Sequence, residues 1–252
     1  MNKLGLVGKN ISFSRSPKLH NIIKDIYNFD LTYELIDIDE NMLEQYLNSS
    51  YTGFNITKPY KEVMFRKDFI HSEIVLKTQA LNTIYFKDNK IYSDNTDYYG
   101  FEYLIKYYNI NINNKKVAIL GTGGSAKMLK YFFSKYTNDV TLVSRSNKGQ
   151  SIINYDEILN NSFDIIVNAT PIGTGDTIEL SPLSKEQVGN AIVIDLNYNP
   201  SITKIMSYAN ESYNGLIMLI VQGLYSQKHW QNQDFDITDE LVNKIKERML
   251  NV

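Results

Sequence analysis

An amine, a carboxylate and a group of hydroxyls and amides stand in short polar motifs within the first hundred residues. Ser14-Arg15-Ser16-Pro17 sets two hydroxyls and free backbone donors at a helix start, a geometry suited to a carboxylate. Asn55-Ile56-Thr57-Lys58-Pro59-Tyr60-Lys61 puts Asn55 and Thr57 on one face of a strand, with Lys61 just past a proline-fixed turn. Leu81-Asn82-Thr83 and Asp94-Asn95-Thr96-Asp97 bracket a hairpin, so its two ends can meet in one site. Each motif alone has a plain structural explanation: Ser16 as an N-cap, Lys61 as a surface solubiliser, Asp97 as a helix cap. Their concentration ahead of a nucleotide loop points to chemistry.

That loop is Gly121-Thr122-Gly123-Gly124-Ser125-Ala126, after the apolar strand Val117-Ala118-Ile119-Leu120 and before a helix. Glycines let the backbone approach a pyrophosphate closely, and the helix N-terminus supplies free N–H groups and a favourable dipole. The strand before and the helix after distinguish it from a mere Gly-rich turn. The next strand ends Val143-Ser144-Arg145-Ser146, with Lys148 beyond. An acid there would bond a ribose 2′-hydroxyl. A cation and two hydroxyls suit a 2′-phosphate instead, so NADP is the expected cofactor, against the alternative of a solvated surface Arg145.

Composition narrows the remaining possibilities. The 252-residue chain is 43% hydrophobic, enough for ordinary globular cores. A net charge of −2 gives no nucleic-acid footprint. No apolar run approaches ~18 residues, so neither a membrane span nor a secretory signal is expected. Zero cysteines exclude disulfides, thiolate zinc sites and a Cys nucleophile, and fit a cytoplasmic location. His20, His71 and His229 lack ligand-type spacing, so no metal site is expected.

The elements that must position these groups alternate in type. Strands are expected at Leu4–Val7, Thr32–Ile38 and Gly53–Thr57, and helices at Pro17–Tyr27 and Met42–Asn48. A hairpin joins Thr83–Phe86 to Lys90–Ser93 around Asp88-Asn89, followed by a helix from Tyr98 to Tyr108. Beyond the polar segment Asn109–Lys115, strands at Val117–Leu120, Val140–Val143, Asp164–Asn168 and Ala191–Asp195 alternate with helices, which implies a parallel sheet. Helices are expected at Ser125–Lys135, Ser201–Glu211, Leu216–Trp230 and Thr238–Asn251.

Over essentially its whole length the chain resembles the NADP-dependent shikimate dehydrogenase family. The resemblance adds Asn168-Ala169-Thr170-Pro171, Asp195-Leu196-Asn197-Tyr198-Asn199-Pro200, and Gly215 followed by Met218-Leu219 and Gln222 to the motifs above. It implies that Ser14 and Ser16 hold the substrate carboxylate. Thr57, Asn82, Asp97 and Gln222 would read the ring hydroxyls, with Asn55 and Tyr198 lining the site. Lys61 would be the acid/base, paired with Asp97. Gly121, Thr122, Gly123, Gly124 and Ser125 would bind the pyrophosphate, and Ser144, Arg145, Ser146 and Lys148 the adenosine 2′-phosphate end. Leu196, Gly215 and Met218 would flank the nicotinamide. The implied fold is α/β with two domains. An N-terminal substrate domain (1–97 plus 215–252) has a mainly parallel sheet completed by the C-terminal helices, and a Rossmann-like NADP-binding domain spans 98–214. The sequence departs from the family pattern at Tyr98 and Gln79, where Gly is usual, and at Gly223, where Ala is common.

The expected activity is reversible NADPH-dependent reduction of 3-dehydroshikimate to shikimate, by a monomer or homodimer with no nucleic-acid or membrane partner. Alternatives are a quinate/shikimate paralogue, an enzyme using the same two-domain plan for methylene-tetrahydrofolate, and a non-catalytic NADP-binding sensor.

Overall fold

The structure is a computed structural model, and it describes residues 1–251 except 147, 148 and 150. It divides into two compact units, Met1–Phe101 with Leu219–Val252, and Glu102–Met218.

The first unit is built on β1 (Asn2–Gly8), α1 (Ser16–Tyr27), β2 (Leu31–Asp37), α2 (Leu43–Leu47), β3 (Gly53–Ile56), β4 (Ile70–His71), α3 (Glu73–Thr78), β5 (Thr83–Lys87) and β6 (Lys90–Asp94). The strands form a six-stranded sheet in the order β2-β1-β3-β5-β6-β4. Its β2, β1 and β3 run parallel, β5 is antiparallel to both β3 and β6, and β4 runs parallel to β6. Interior strand β3 is buried at every position, as a strand covered on both faces must be. Val7, Ile36, Phe54, Ile56, Tyr60, Val75 and Ile84 belong to one core cluster, and Leu4, Leu6, Leu31, Tyr33 and Trp230 to another. The β5–β6 hairpin turns at Asp88 and Asn89, both at positive φ (50° and 56°), as a tight two-residue turn requires.

Helix α4 (Asp97–Tyr107) leads into the second unit, made of β7 (Val117–Leu120), α5 (Gly124–Phe133), β8 (Val140–Val143), β9 (Ile152–Ile153), β10 (Ile165–Asn168), α6 (Lys185–Val188), β11 (Ile192–Asp195) and β12 (Ser212–Asn214). All six strands are parallel in the order β12-β11-β10-β7-β8-β9, a doubly wound arrangement with its switch point between β7 and β10. Helix α7 (Leu216–Gln231) returns the chain to the first unit, where α8 (Asp239–Leu250) packs against α1.

Two local expectations are corrected. Helix α1 starts at Ser16, so Arg15 takes the N-cap position and Ser16 the first helical one. No helix spans Ser201–Glu211. Thr203 turns its hydroxyl onto Asp195 Oδ2 at 2.6 Å, a short 3-10 turn covers only Met206–Tyr208, and Ser212–Asn214 joins the sheet as β12. The first sheet is mainly parallel as expected, with β5 the one strand antiparallel to both of its neighbours.

Candidate active site and nucleotide loop

Strand direction decides where the polar motifs meet. In the first unit β1 and β3 are parallel with Val7 opposite Ile56, so the loops carrying Ser14 and Thr57 leave the same end of the sheet. Antiparallel β5 begins at that end, with Thr83 opposite Asn55, and β6 finishes there, with Asp94 opposite Thr83. Ser14, Thr57, Lys61, Asn82 and Asp97 therefore all stem from one edge of the sheet, the usual place for ligands in such folds.

Lys61 is fixed by its neighbours. Tyr60 is buried and its hydroxyl donates to Ile38 O at 2.7 Å, while Lys61 O accepts from Leu81 N at 2.9 Å. Asp97 is the first residue of α4. Lys61 Nζ lies 2.5 Å from Asp97 Oδ2, and the two side chains are only 17% and 11% exposed. An ion pair this far from bulk water is held more firmly than an ordinary surface pair.

Beside that pair runs a buried polar network. Asn82 Nδ2 donates to Gln222 Oε1 at 3.3 Å. Asn82 Oδ1 accepts from the Thr96 N–H at 2.7 Å and its hydroxyl at 3.1 Å. Asn55 is engaged throughout: Oδ1 accepts from Tyr33 Oη, and Nδ2 faces Asn82 O, Thr83 Oγ1 and Ser226 Oγ. With its polar atoms committed inside the protein, Asn55 acts as a support for Asn82 and Thr83. Ser226, fully buried, contacts Thr83, Thr96 and Asn55 and donates to Gln222 O. The sequence reading missed it. Its signal was the i, i+4 spacing from Gln222, which sets both on one face of α7.

Ser14 and Ser16 form a local pair, with their hydroxyls 3.2 Å apart and Ser16 N donating to Ser14 Oγ at 3.3 Å. Their loop is tied to the Thr57 segment, because Lys9 N donates to Lys58 O at 3.2 Å and the Lys58 ammonium lies 5.2 Å from the Phe13 ring centre. Thr57 is half-buried, and its N–H donates to Val7 O.

The second unit places its motifs by the same logic. Its strands are all parallel, so the loops after β7, β8, β10 and β11 leave from one end. Gly121 has φ +112°, which an L side chain rarely adopts. Gly123 is the N-cap of α5 and supplies no side-chain cap, and a Cβ there would meet nothing within 4 Å. Around Gly123 there is thus room at the start of α5, as a loop that takes up a pyrophosphate requires. Ser144 is buried, and Arg145 and Ser146 are exposed at the end of β8. Lys148 lies outside the described residues. A Cβ on Gly215 would stand 2.1 Å from Leu196 O, so only glycine permits that close approach of the two segments. Met218 is buried, and Tyr198 is half-buried in this unit.

Asp195 anchors these loops. It is fully buried, accepting from Asn168 Nδ2 (3.1 Å), Asn197 N (2.9 Å) and Thr203 Oγ1 (2.6 Å). Burial pushes its carboxyl above the usual carboxylate range, and those donors pull it partly back. Asp195→Ala is expected to destabilise the second unit by about 1–3 kcal/mol, because buried donors lose their acceptor. Denaturant titration would read this as a lowered midpoint.

Residues 6–84 match the family described as shikimate dehydrogenase substrate binding domain. A Clostridium botulinum protein named shikimate dehydrogenase (NADP(+)) is 34% identical over 251 residues, covering 91% of this chain and 96% of its own. The solved structure of shikimate dehydrogenase 1 from Peptoclostridium difficile matches with a TM-score of 0.93 at 32% identity, over 99% of this chain and 98% of that one. A chorismate mutase/shikimate 5-dehydrogenase fusion protein from Clostridium acetobutylicum matches with a TM-score of 0.92 at 29% identity, over 98% and 96%.

Proposed function

The chain belongs to the shikimate dehydrogenase family, and from that premise we propose which residues carry its reaction. The protein is an NADP-dependent oxidoreductase of the shikimate pathway, interconverting 3-dehydroshikimate and shikimate. The observation that carries the residue assignment is the Lys61–Asp97 pair, 2.5 Å apart beside the Asn82–Gln222 amides.

Lys61 is the proton donor to the ring carbonyl oxygen in the reducing direction, and the acceptor from the hydroxyl in reverse. Its ammonium also stabilises alkoxide charge as it develops. Asp97 holds the amine in place and, with Thr57, Asn82 and Gln222, binds ring hydroxyls. Ser14 and Ser16 bind the carboxylate. Asn55 positions Asn82 and Thr83, and Tyr198 lines the substrate site. When bound, NADP carries the hydride. Gly121, Thr122, Gly123, Gly124 and Ser125 would hold its pyrophosphate, and Ser144, Arg145, Ser146 and Lys148 its 2′-phosphate. Leu196, Gly215 and Met218 would flank the nicotinamide. The domains divide as 1–97 with 215–252 for substrate and 98–214 for cofactor. Every assigned residue comes from one chain, which is compatible with a monomer or a homodimer. The absence of cysteine supports a cytoplasmic location.

Following NADPH formation with shikimate, and then with quinate, tests the activity and its polyol range. Absence of shikimate-dependent NADPH formation would sink it. The 2′-phosphate assignment has its own test. Arg145→Ala is expected to weaken NADPH binding about tenfold to a hundredfold, the equivalent of about 1.5–3 kcal/mol for hydrogen bonds to a charged group, and to leave NADH binding nearly unchanged. Equal weakening of both in calorimetry would remove Arg145 from that role.

A further inference from the structure

Asp94, at the end of β6, is only 3% exposed. Its Oδ1 accepts from the Ser72 hydroxyl at 2.6 Å and from the Asn95 N–H at 2.7 Å, and its Oδ2 faces His229 Nε2 at 2.9 Å. A buried carboxylate is costly unless it is paired and hydrogen-bonded. In this contact Nε2 carries the hydrogen, since an ionised carboxylate oxygen only accepts. The Asp94 main chain accepts from Asn82 N at 3.1 Å, and the chain then runs directly through Asn95 and Thr96 to Asp97. Thr96 N reaches back to Asn82 Oδ1. Asp94 thus grips both the segment that presents Asn82 and the turn that presents Asp97.

His229 comes from α7, the helix that also supplies Gln222 and Ser226. Its ring stacks on Tyr85 with centroids 4.6 Å apart and planes within 6°. Its side chain is 27% exposed and borders an open hollow of about 720 Å³, shared with Lys87, Asp88, Tyr92, Lys228 and Asp234. Lys228 is paired with Asp234 at 2.6 Å.

We propose that His229 is a positioning residue for the dehydrogenase reaction: its Nε2–H holds Asp94, Asp94 holds the Asn95–Thr96 turn, and the turn holds Asp97 against Lys61. The inference rests on the assignment of Lys61 and Asp97 given above. Without His229 the buried carboxylate is one donor short. The turn it holds then relaxes.

His229→Leu removes the donor while keeping apolar bulk. It is expected to lower kcat per NADPH-binding site by roughly 10- to 100-fold, the scale of loss caused by a misplacement of about 1 Å. The KM for shikimate should rise, and the KM for NADP should stay unchanged. His229→Gln, whose amide can still donate to Asp94, should recover most of the loss. A role in stability alone would lower the melting temperature and the number of NADPH-titrated sites, leaving kcat per site and the shikimate KM as they were. The inference is overturned if His229→Leu keeps wild-type values of both, or if His229→Gln is as impaired as His229→Leu. Lys61→Ala in the same assay separates the two levels. An active Lys61→Ala removes the catalytic assignment itself. An inactive Lys61→Ala beside an unaffected His229→Leu removes only the positioning role.

Discussion

Lys61→Ala is expected to lose turnover by roughly 10²–10⁴-fold, the usual contribution of a positioned general acid or base. Shikimate binding should change far less. The argument is geometric. The ammonium is held by Asp97 Oδ2 at 2.5 Å, with only 17% of the lysine side chain exposed, so no freely diffusing group readily replaces it. The amides proposed to read the ring, Asn82 and Gln222, are held by their own network through Thr96, Thr83 and Ser226. Removing the amine therefore deletes the proton donor and leaves most of the binding surface standing. Steady-state NADPH formation gives kcat, and calorimetry with shikimate gives the dissociation constant. Near-normal turnover in the variant would take Lys61 out of the mechanism. A loss confined to binding would recast it as a substrate anchor.

Acid should destabilise the protein through His20. This side chain is fully buried at the start of the chain's first helix, stacked on Tyr33 with centroids 4.0 Å apart. Gln227 Nε2 donates to its Nδ1 at 2.9 Å, and among the described residues its Nε2 has no hydrogen-bond partner. Burial pushes its pKa down to about 3, against a weaker upward pull from Asn55. The sign follows from proton counting. Above about pH 6.5 the imidazole is neutral in both folded and unfolded chains and adds no pH dependence. Between about 6.5 and 3 the unfolded chain binds a proton that the folded chain does not, so stability falls by about 1.4 kcal/mol per pH unit. The full loss is on the order of 5 kcal/mol below about pH 3. His20→Gln removes the titrating group. Urea denaturation at pH 6.5 and 4.5 should show wild type losing about 2 kcal/mol more than the variant across that interval. Parallel losses would mean that His20 is protonated in the folded protein.

The parts of the site legible in the sequence were those written in contiguous motifs. The pairing of Lys61 with Asp97 came from the family resemblance, while a strand, a proline-fixed turn and a hairpin each left a local signal for the segments that carry them. The glycine loop could be read because a strand and a helix flank it. Contacts set by distant packing left no such trace. Ser226 lies 143 positions from its partner Thr83, and its i, i+4 spacing from Gln222 marks a shared helix face but not that encounter. Thr203, expected in a helix, is held in a loop by Asp195. Strands β4 and β9 have two residues each, too few to show a period.

The three departures from the family pattern each have a visible structural consequence. Gln79 closes α3 with φ 52°, a left-handed helix end where glycine is the easy choice and another residue is strained. A Cβ at Gly223 would come 2.7 Å from Leu19 Cδ2, so an Ala there would require the Leu19 side chain to shift. Tyr98 is buried at 6% exposure, so a ring occupies space beside Asp97 that glycine would leave empty.

Trp230 is the chain's one tryptophan, buried in the first unit with its Nε1 donating to Ile84 O. Nature has thereby installed a single built-in lamp in the half of the molecule proposed to bind the sugar-like acid. Emission excited at wavelengths only indole absorbs reports the melting of that half alone, while far-ultraviolet dichroism sums the helices of both. Superimposable curves would mean that the two halves melt as one cooperative body. Separated curves would reveal a partly molten species whose surviving half the colour of the light identifies.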